Sequence, residues 1–316
     1  MGNLPHIYPP AAPTIAGDTV TISRFLDSPA AVSRRLRTLA ENRFIGDVLL
    51  TGRYQVAGGS LLYEQAESMY TNKAPEVVNP GAEYPRSPAT PGPAAMASVS
   101  KWGQDVPVTD EHIGRYGRRA VDVALIKIVN YIVRQVDTIC LAAIAAAVTN
   151  TAAAGAGVAG GPYAWNTANA DPLLDLMLAK AFVLGRDQGY EPDTAVMNDT
   201  AYARLISNQK IIAGLGREGD GSVTVRGEQL TIAGLRILPT NNLPVANTVF
   251  ILDSSMLGGI GYERIPSPDY TGDPANGVES WSRRDPAAND QWIVRGRRPM
   301  VPIVQEPDAA YKITGV

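Results

Sequence analysis

The sequence predicts an α+β protein whose helices and strands are segregated along the chain and do not alternate as βαβ units. Three observations carry that reading. An amphipathic pattern runs through residues 110–148, a Pro-rich stretch at 75–93 sits inside a two-stranded excursion, and short strand-like runs after residue 190 are divided by Gly, Pro and Asn turns. With 316 residues the chain suggests one or two domains at about 150 residues each, and its 45% apolar content is enough for a sizeable core.

The elements follow in order. Residues 1–23 contain Pro and Thr with no periodic apolar face and read as an extended arm. In SPAAVSRRLRTLAE (28–41), Ser28 suits a helix N-cap, Pro29 suits the first helical position, and Val32, Leu36 and Leu39 fall at helical spacing. Residues 47–65 carry short apolar runs split by Gly58-Gly59, the pattern of strand, turn and strand. Six prolines follow within 75–93, and Met96 to Val108 reads as the strand leading back. Residues 46–108 therefore predict a long two-stranded excursion with a Pro-stiffened tip. It has too little apolar alternation to bury itself, and an isolated hairpin is marginally stable at best, so something outside its own domain is expected to cover it.

The region 110–148 predicts one long helix. Thr109 or Asp110 can cap it, and Val121, Leu125, Ile128, Ile132, Val136, Ile139 and Ala143 form one stripe with Lys127, Asn130, Arg134 and Asp137 roughly opposite. At 1.5 Å per residue such a helix is roughly 55–60 Å long. Residues 142–161 then hold ten Ala and four Gly, a fading helix end and a flexible link. Asp171-Pro172 opens a second helix that stops near Gly189, Thr194–Met197 reads as a strand, and Asn198 or Asp199 caps a brief helix through Ser207. Further strands are expected at 223–225, 230–232, 235–238, 248–252, 291–295, 300–304 and 311–314.

Composition argues against most enzyme templates. One cysteine, Cys140, and two histidines, His6 and His112, leave little for metal binding or Ser-His catalysis, so no cofactor or metal is expected. The net charge of −3 gives no basic field for nucleic acid or anionic membrane. The apolar stretch Val121–Val148 is interrupted by Asp122, Lys127, Arg134 and Asp137, so no membrane span is expected. The N-terminal residues lack a basic region followed by an apolar one, and His6 breaks the myristoylation pattern, which points to a reducing, cytosol-like place. Gly155 to Gly160 matches G-x-G-x-x-G, but a helix precedes it and Pro162 follows, where the dinucleotide fingerprint needs a strand before and a helix after. Ser98/Lys101 and Ser207/Lys210 match S-x-x-K without S-D-N or K-T-G partners. Cys140 reads as a buried inert thiol, His112 as a solvated residue and Asn198-Asp-Thr200 as a helix cap.

Of the 28 cationic residues 22 are Arg, dense at 34–37, 115–119, 283–284 and 295–298. Two readings stay open: solvated faces with local acidic neighbours, or pairing between subunits with acidic patches such as Glu64/Glu67, Asp105 or Asp269/Asp273. Arg115 and Arg119 are i,i+4 neighbours that repel unless a carboxylate arrives, and with Arg118 they are expected to meet acids of an adjacent subunit.

A resemblance to a known family rests on four stretches and their order. PEVVNPGAEYPRSPAT (75–90) resembles the tip of the extended loop of tailed-bacteriophage major capsid proteins with the Hong Kong 97 fold, and VSKWGQDVPVTDEHI (99–113) resembles the return strand and the entry to their spine helix. EPDTAVMNDTAYARLIS (191–207) resembles a strand-to-helix stretch of their axial domain, and LPTNNLPVANTVFILDSSMLGGIGYER (238–264) its exit into the peripheral domain. The resemblance covers nearly the whole chain.

On that resemblance, residues 1–44 are an N-terminal arm, 45–108 the extended loop, 109–164 with 259–316 the peripheral domain carrying the spine helix, and 165–258 the axial domain. It implies self-assembly as hexamers and pentamers into an icosahedral head around double-stranded DNA, with no sequence-specific binding and no catalysis. Such a chain resides in the virion, and in host cytoplasm during assembly. No long charged scaffold segment like that of some relatives precedes the arm, so scaffolding comes from a separate protein or the chain is already mature; a portal is a further partner. Some relatives crosslink a loop lysine to a neighbour's asparagine; Lys73 is the only lysine near the loop tip here, and nothing in its local chemistry singles it out for such a bond. Two other readings stay open: an encapsulin-like compartment enclosing protein cargo, and a soluble α+β enzyme with a site of Asp, Glu and Tyr.

Overall fold

The structure is a computed structural model that describes residues 25–26, 28, 31–32, 35–36, 44–65, 73–87, 92–209, 211, 231–267, 269–275, 277–285 and 290–316. The predicted arm at 1–23, Leu39 of the first predicted helix and the predicted strand at 223–225 lie outside these residues. Within 28–41 the described positions 31, 32, 35 and 36 are helical, the Ser28 carbonyl accepts from the Ala31 and Val32 N–H groups at 3.0 and 3.2 Å, and Val32 and Leu36 are buried.

From residue 44 the order is α1 (Ile45–Leu49), β1 (Gly52–Val56), β2 (Ser60–Glu64), β3 (Ala94–Ser98), β4 (Ser100–Thr109), α2 (Asp110–Tyr116), α3 (Arg118–Ala147) and β5 (Thr151–Ala153). There follow α4 (Pro172–Leu184), β6 (Thr194–Met197), α5 (Asp199–Ser207), β7 (Thr231–Ile232), β8 (Leu235–Pro239) and β9 (Thr248–Leu252). The chain closes with β10 (Gly258–Glu263), β11 (Glu279–Arg284), β12 (Gln291–Val304) and β13 (Ala310–Thr314). This is the segregated α+β pattern that the sequence predicts. A five-stranded sheet joins β1, β10, β12, β11 and β4; a six-stranded sheet has the order β5-β13-β9-β6-β8-β7; β2 and β3 pair with each other.

The 47–65 stretch departs from its strand–turn–strand expectation. It begins in α1, and β1 then pairs in parallel with β10, from Gly52↔Gly259 to Val56↔Glu263, while β2 pairs with β3. Close backbone approach explains the choice: a Cβ on Gly259 would lie 2.5 Å from the Gly52 backbone, so glycine on β10 is what admits β1. β4 runs antiparallel to β12 from Ser100↔Met300 to Thr109↔Gln291. Sheet membership thus cuts across the predicted segments. Both ends of the 45–108 loop are sheet strands, leaving 57–99 to protrude, and β5 and β13 join the sheet built mainly from 194–252.

β12 is one 14-residue strand, where the sequence pattern predicts two, at 291–295 and 300–304. Pro299 sits between the end of the β11 pairing at Arg297 and the start of the β10 pairing at Met300, where β4 alone is opposite, so its missing N–H costs little. β10 and β11 were not foreseen because GGIGYE and ESWSRR carry no apolar alternation.

The predicted continuous helix divides at Gly117, which has φ +57° and donates its N–H to Ile113 O at 2.7 Å. Thr109 caps α2 by accepting from the His112 N–H at 3.3 Å. α3 is therefore 30 residues and about 45 Å long. It lies close against β12: a Cβ on Gly296 would sit 2.6 Å from Ile128. Val121, Leu125, Ile128, Ile132 and Val136 are buried as expected, and in the last turns the stripe moves to Cys140, Leu141 and Ile144. By length and composition α3 could cross a membrane, but its stripe fills this chain's own core.

The six-stranded sheet is buried on both faces, as its continuous apolar runs require. Val196, Phe250 and Leu252 join the core around α3, while Ala195, Met197, Val249 and Ile251 face the opposite way, into a second core with Leu176 and Ala179 of α4. Asp171 caps α4 through the Leu174 N–H at 3.2 Å, and Asn198 caps α5 through the Ala201 N–H at 2.8 Å.

Asp137 corrects the polar-face reading of α3. It is buried, accepts the Gly46 N–H at 2.9 Å, and burial pushes its carboxyl up to about 6. A carboxyl raised in the folded state holds a proton that the unfolded chain releases, so Asp137 adds stability as pH falls from about 6 to about 4 and loses it as pH rises. Wild type minus Asp137→Asn, compared by thermal melts across that window, should show a difference on the order of 2 kcal/mol. A pH-independent difference would refute the assignment.

Candidate assembly surfaces

The protruding segment is built from paired strands without a core. β2 and β3 put Leu62 directly opposite Met96, and both are 72% exposed. Val77 and Tyr84 in the Pro-rich tip are also largely exposed, and Arg86 pairs with Glu83 at 2.8 Å on the surface. At the neck the Val99 N–H donates to Gly59 O at 2.9 Å, which draws the two ends of the excursion together. Glu64 closes β2 and is exposed, Lys73 is exposed near the tip, and Glu67 lies outside the described residues.

At the α2–α3 junction Arg115 and Arg119 are exposed and have no ion-pair partner among the described residues; of Arg118 only the backbone is described. Gly117 interrupts the helix between Arg115 and Arg119, so the i,i+4 geometry expected of an unbroken helix is not present.

In the other Arg-dense stretches several described arginines pair within the chain, which corrects the reading of Asp105 as an acid for a neighbour. Arg295 pairs with Asp105 across the β12–β4 register, Arg284 with Asp110 at 2.8 Å, Arg297 with Glu279 at 2.6 Å and Arg35 with Asp122 at 3.4 Å. Asp273 is tied to the Ala275 N–H at 3.1 Å, and Asp269 is exposed. Antiparallel pairing places Arg295 beside Asp105 and Arg297 beside Glu279, which spacing along the chain does not reveal.

A further charged group anchors the loop's base. Arg298 is fully buried, donates to Asp47 at 2.7 Å and stacks over Phe44 at 4.5 Å, while Arg53 approaches Asp47 at 3.6 Å. Arg298 Nε and Nη1 have no hydrogen-bond partner among the described residues. Asp47 and Arg298 are 251 residues apart, so no local signal marks them as partners.

Chemistry-bearing residues are dispersed. His112 is exposed with its ring 4.8 Å from Tyr116, and Cys140 is buried with its thiol pushed up by burial. The Gly155–Gly160 stretch is a turn whose Gly155 N–H donates to the buried Asp175 carboxylate, which also accepts Trp165 Nε1 at 2.8 Å. Burial pushes the Asp175 carboxyl up, opposed by these two donors. No metal-ligating group of three is present among the described residues.

A long helix lies over one sheet, a second sheet packs behind it, and a hairpin without a core projects from them. The chain belongs to the phage capsid protein family, whose model matches residues 92–313. The cyanophage P-SCSP1u capsid is similar in fold, with TM-score 0.59 and 15% identity over 86% of this chain and 88% of that one. The mature capsid of bacteriophage PhiM1 gives 0.57 and 13% over 86% of each. The holo-SrpI encapsulin of Synechococcus elongatus PCC 7942 gives 0.53 and 14% over 88% of each. No curated protein matches in sequence. The fold is of the Hong Kong 97 type, and the chain is a major capsid protein, a structural component of the virion that assembles from copies of itself.

Proposed function

We propose that this chain forms hexamers and pentamers that tile an icosahedral head around double-stranded DNA, with residues 57–99 lying across the adjacent subunit. The observation that carries it is the hairpin, whose Leu62–Met96 pair is exposed and whose strands pair only with each other. Unpaired edges and exposed apolar side chains of that kind are covered in a stable assembly. In this reading 1–44 is the arm, 45–108 the extended loop, 109–164 with 259–316 the peripheral domain and 165–258 the axial domain. Glu64, Glu67 and Lys73 on the loop, and Arg115, Arg118 and Arg119 at the helix junction, are contacts between subunits. The protein has no catalytic role; it assembles in host cytoplasm, scaffolding is supplied by a separate protein, and a portal completes the head.

Electron microscopy of purified particles tests the reading: closed shells that hold nucleic acid support it, and shells holding only protein cargo favour the encapsulin-like alternative. Arg119→Glu should block or misdirect assembly and leave the circular dichroism of free subunits unchanged. Normal particles from that variant would sink the intersubunit role of Arg119.

A further inference from the structure

α4 is apolar on both sides. Its inner face, Pro172, Leu176, Ala179 and Val183, is buried with Asp175, yet Leu174, Met177, Leu178, Ala181 and Leu184 form an outer face with no charge. Met177, Leu178 and Leu184 are 45–48% exposed. A surface helix ordinarily carries charged residues outward, and an all-round apolar helix is a buried one. Two cations lie nearby: Lys180 is bent back to Ala233 O at 3.0 Å, and Arg186 stacks over the exposed Phe182 at 4.7 Å and pairs with Asp308 at 3.5 Å. The adjoining link extends the same character: residues 138–170 contain no Asp, Glu, Lys or Arg, and Gly157 packs on Leu174 and Leu178.

We infer that the outer face of α4, with the 155–161 turn beside it, is a lateral contact that receives a second copy of this chain through a different patch of that copy. The partner follows from the chemistry of the face. The face itself carries no charge, its flanking Lys180 and Arg186 are engaged within the chain, and depletion of charge is the mark of the core of a protein–protein interface. The chain belongs to a phage capsid protein family, and in the assembly proposed above the neighbours of each subunit are further copies of it. The head-to-tail geometry rests on the ring assembly proposed above, because rings of five or six close through heterologous contacts, in which each subunit presents one face forward and another behind.

Met177→Glu and Ala181→Arg test this, the second without touching a core side chain. Each should leave the circular dichroism of the free subunit unchanged and weaken subunit association by about a hundredfold or more, since an unpaired charge is buried at the contact. A subunit with one dead face still binds through its other. Either variant, added substoichiometrically to wild type, should therefore stop ring growth and lower the yield of shells. Normal assembly of both variants, while wild type forms shells, would overturn the inference and leave the shell reading intact. Failure to assemble without poisoning wild type would overturn the head-to-tail contact. Binding of the wild-type subunit to neutral phosphatidylcholine vesicles, lost in Met177→Glu, would assign the face to lipid and overturn it too. Absence of shells from wild type would instead refute the proposed function.

Discussion

Replacing residues 60–98 with a short Gly-Ser turn should yield a folded, soluble subunit that forms no closed shells. The excision removes β2, β3 and the Pro-rich tip but leaves β1 on β10 and β4 on β12, so the five-stranded sheet keeps its registers. The gap is easy to span, because Gly59 and Val99 are already hydrogen-bonded at 2.9 Å. Little core is lost, since the removed strands contribute no buried side chain to either main cluster. In the intact free subunit the same segment should be the first to be cut by protease, because local stability follows buried contacts, and it should become protected in the shell. Limited proteolysis before and after assembly reads this directly. Normal shells from the shortened chain, or a protease-resistant loop in the free subunit, would place the hairpin in the domain core and remove the basis of the proposed assembly.

Asp47→Ala should be among the most destabilising single substitutions in the molecule, by about 3–5 kcal/mol, because it strands a buried guanidinium. Arg298 is fully buried and already has Nε and Nη1 unpartnered among the described residues, so Asp47 carries most of its compensation. Arg298→Met should cost less, since it removes the buried charge and keeps the stacking over Phe44 with a flexible apolar side chain. Chemical denaturation of the free subunit checks the order of the two variants. Equal losses would show that the ion pair contributes no more than packing. The location gives the pair its interest: α1 leads directly into β1 and the excursion, and Asp47 and Gly46 tie it to β12 and α3 at once. Loosening this anchor should also lower the yield of shells from subunits that remain folded.

Much of the architecture was legible in the residues. The α3 stripe, the caps at Asp171 and Asn198 and the order of elements all depend on spacings of a few residues, which the chain carries with it wherever it folds. The coreless excursion was legible too, through its prolines and its missing alternation. The proposed assembly surfaces differ in this respect: the loop and the α2–α3 arginines stand out as candidates in the sequence, whereas the outer face of α4 became a candidate only once its inner face was seen to be buried.

Other features were decided by tertiary structure alone. β1 could have paired with β2 by its pattern, and it is the glycines of β10, some 200 residues away, that let it pair elsewhere. Asp137 has the spacing of a solvent-facing residue, but α1 packs over it and supplies the Gly46 N–H that makes its burial tolerable. Asp105 and Arg295 are neighbours only because β4 and β12 are in register. The reason is common to all three. Helical periodicity and capping are set by atoms within four residues of each other, while strand partners and the fate of a charge depend on which distant surfaces share one core.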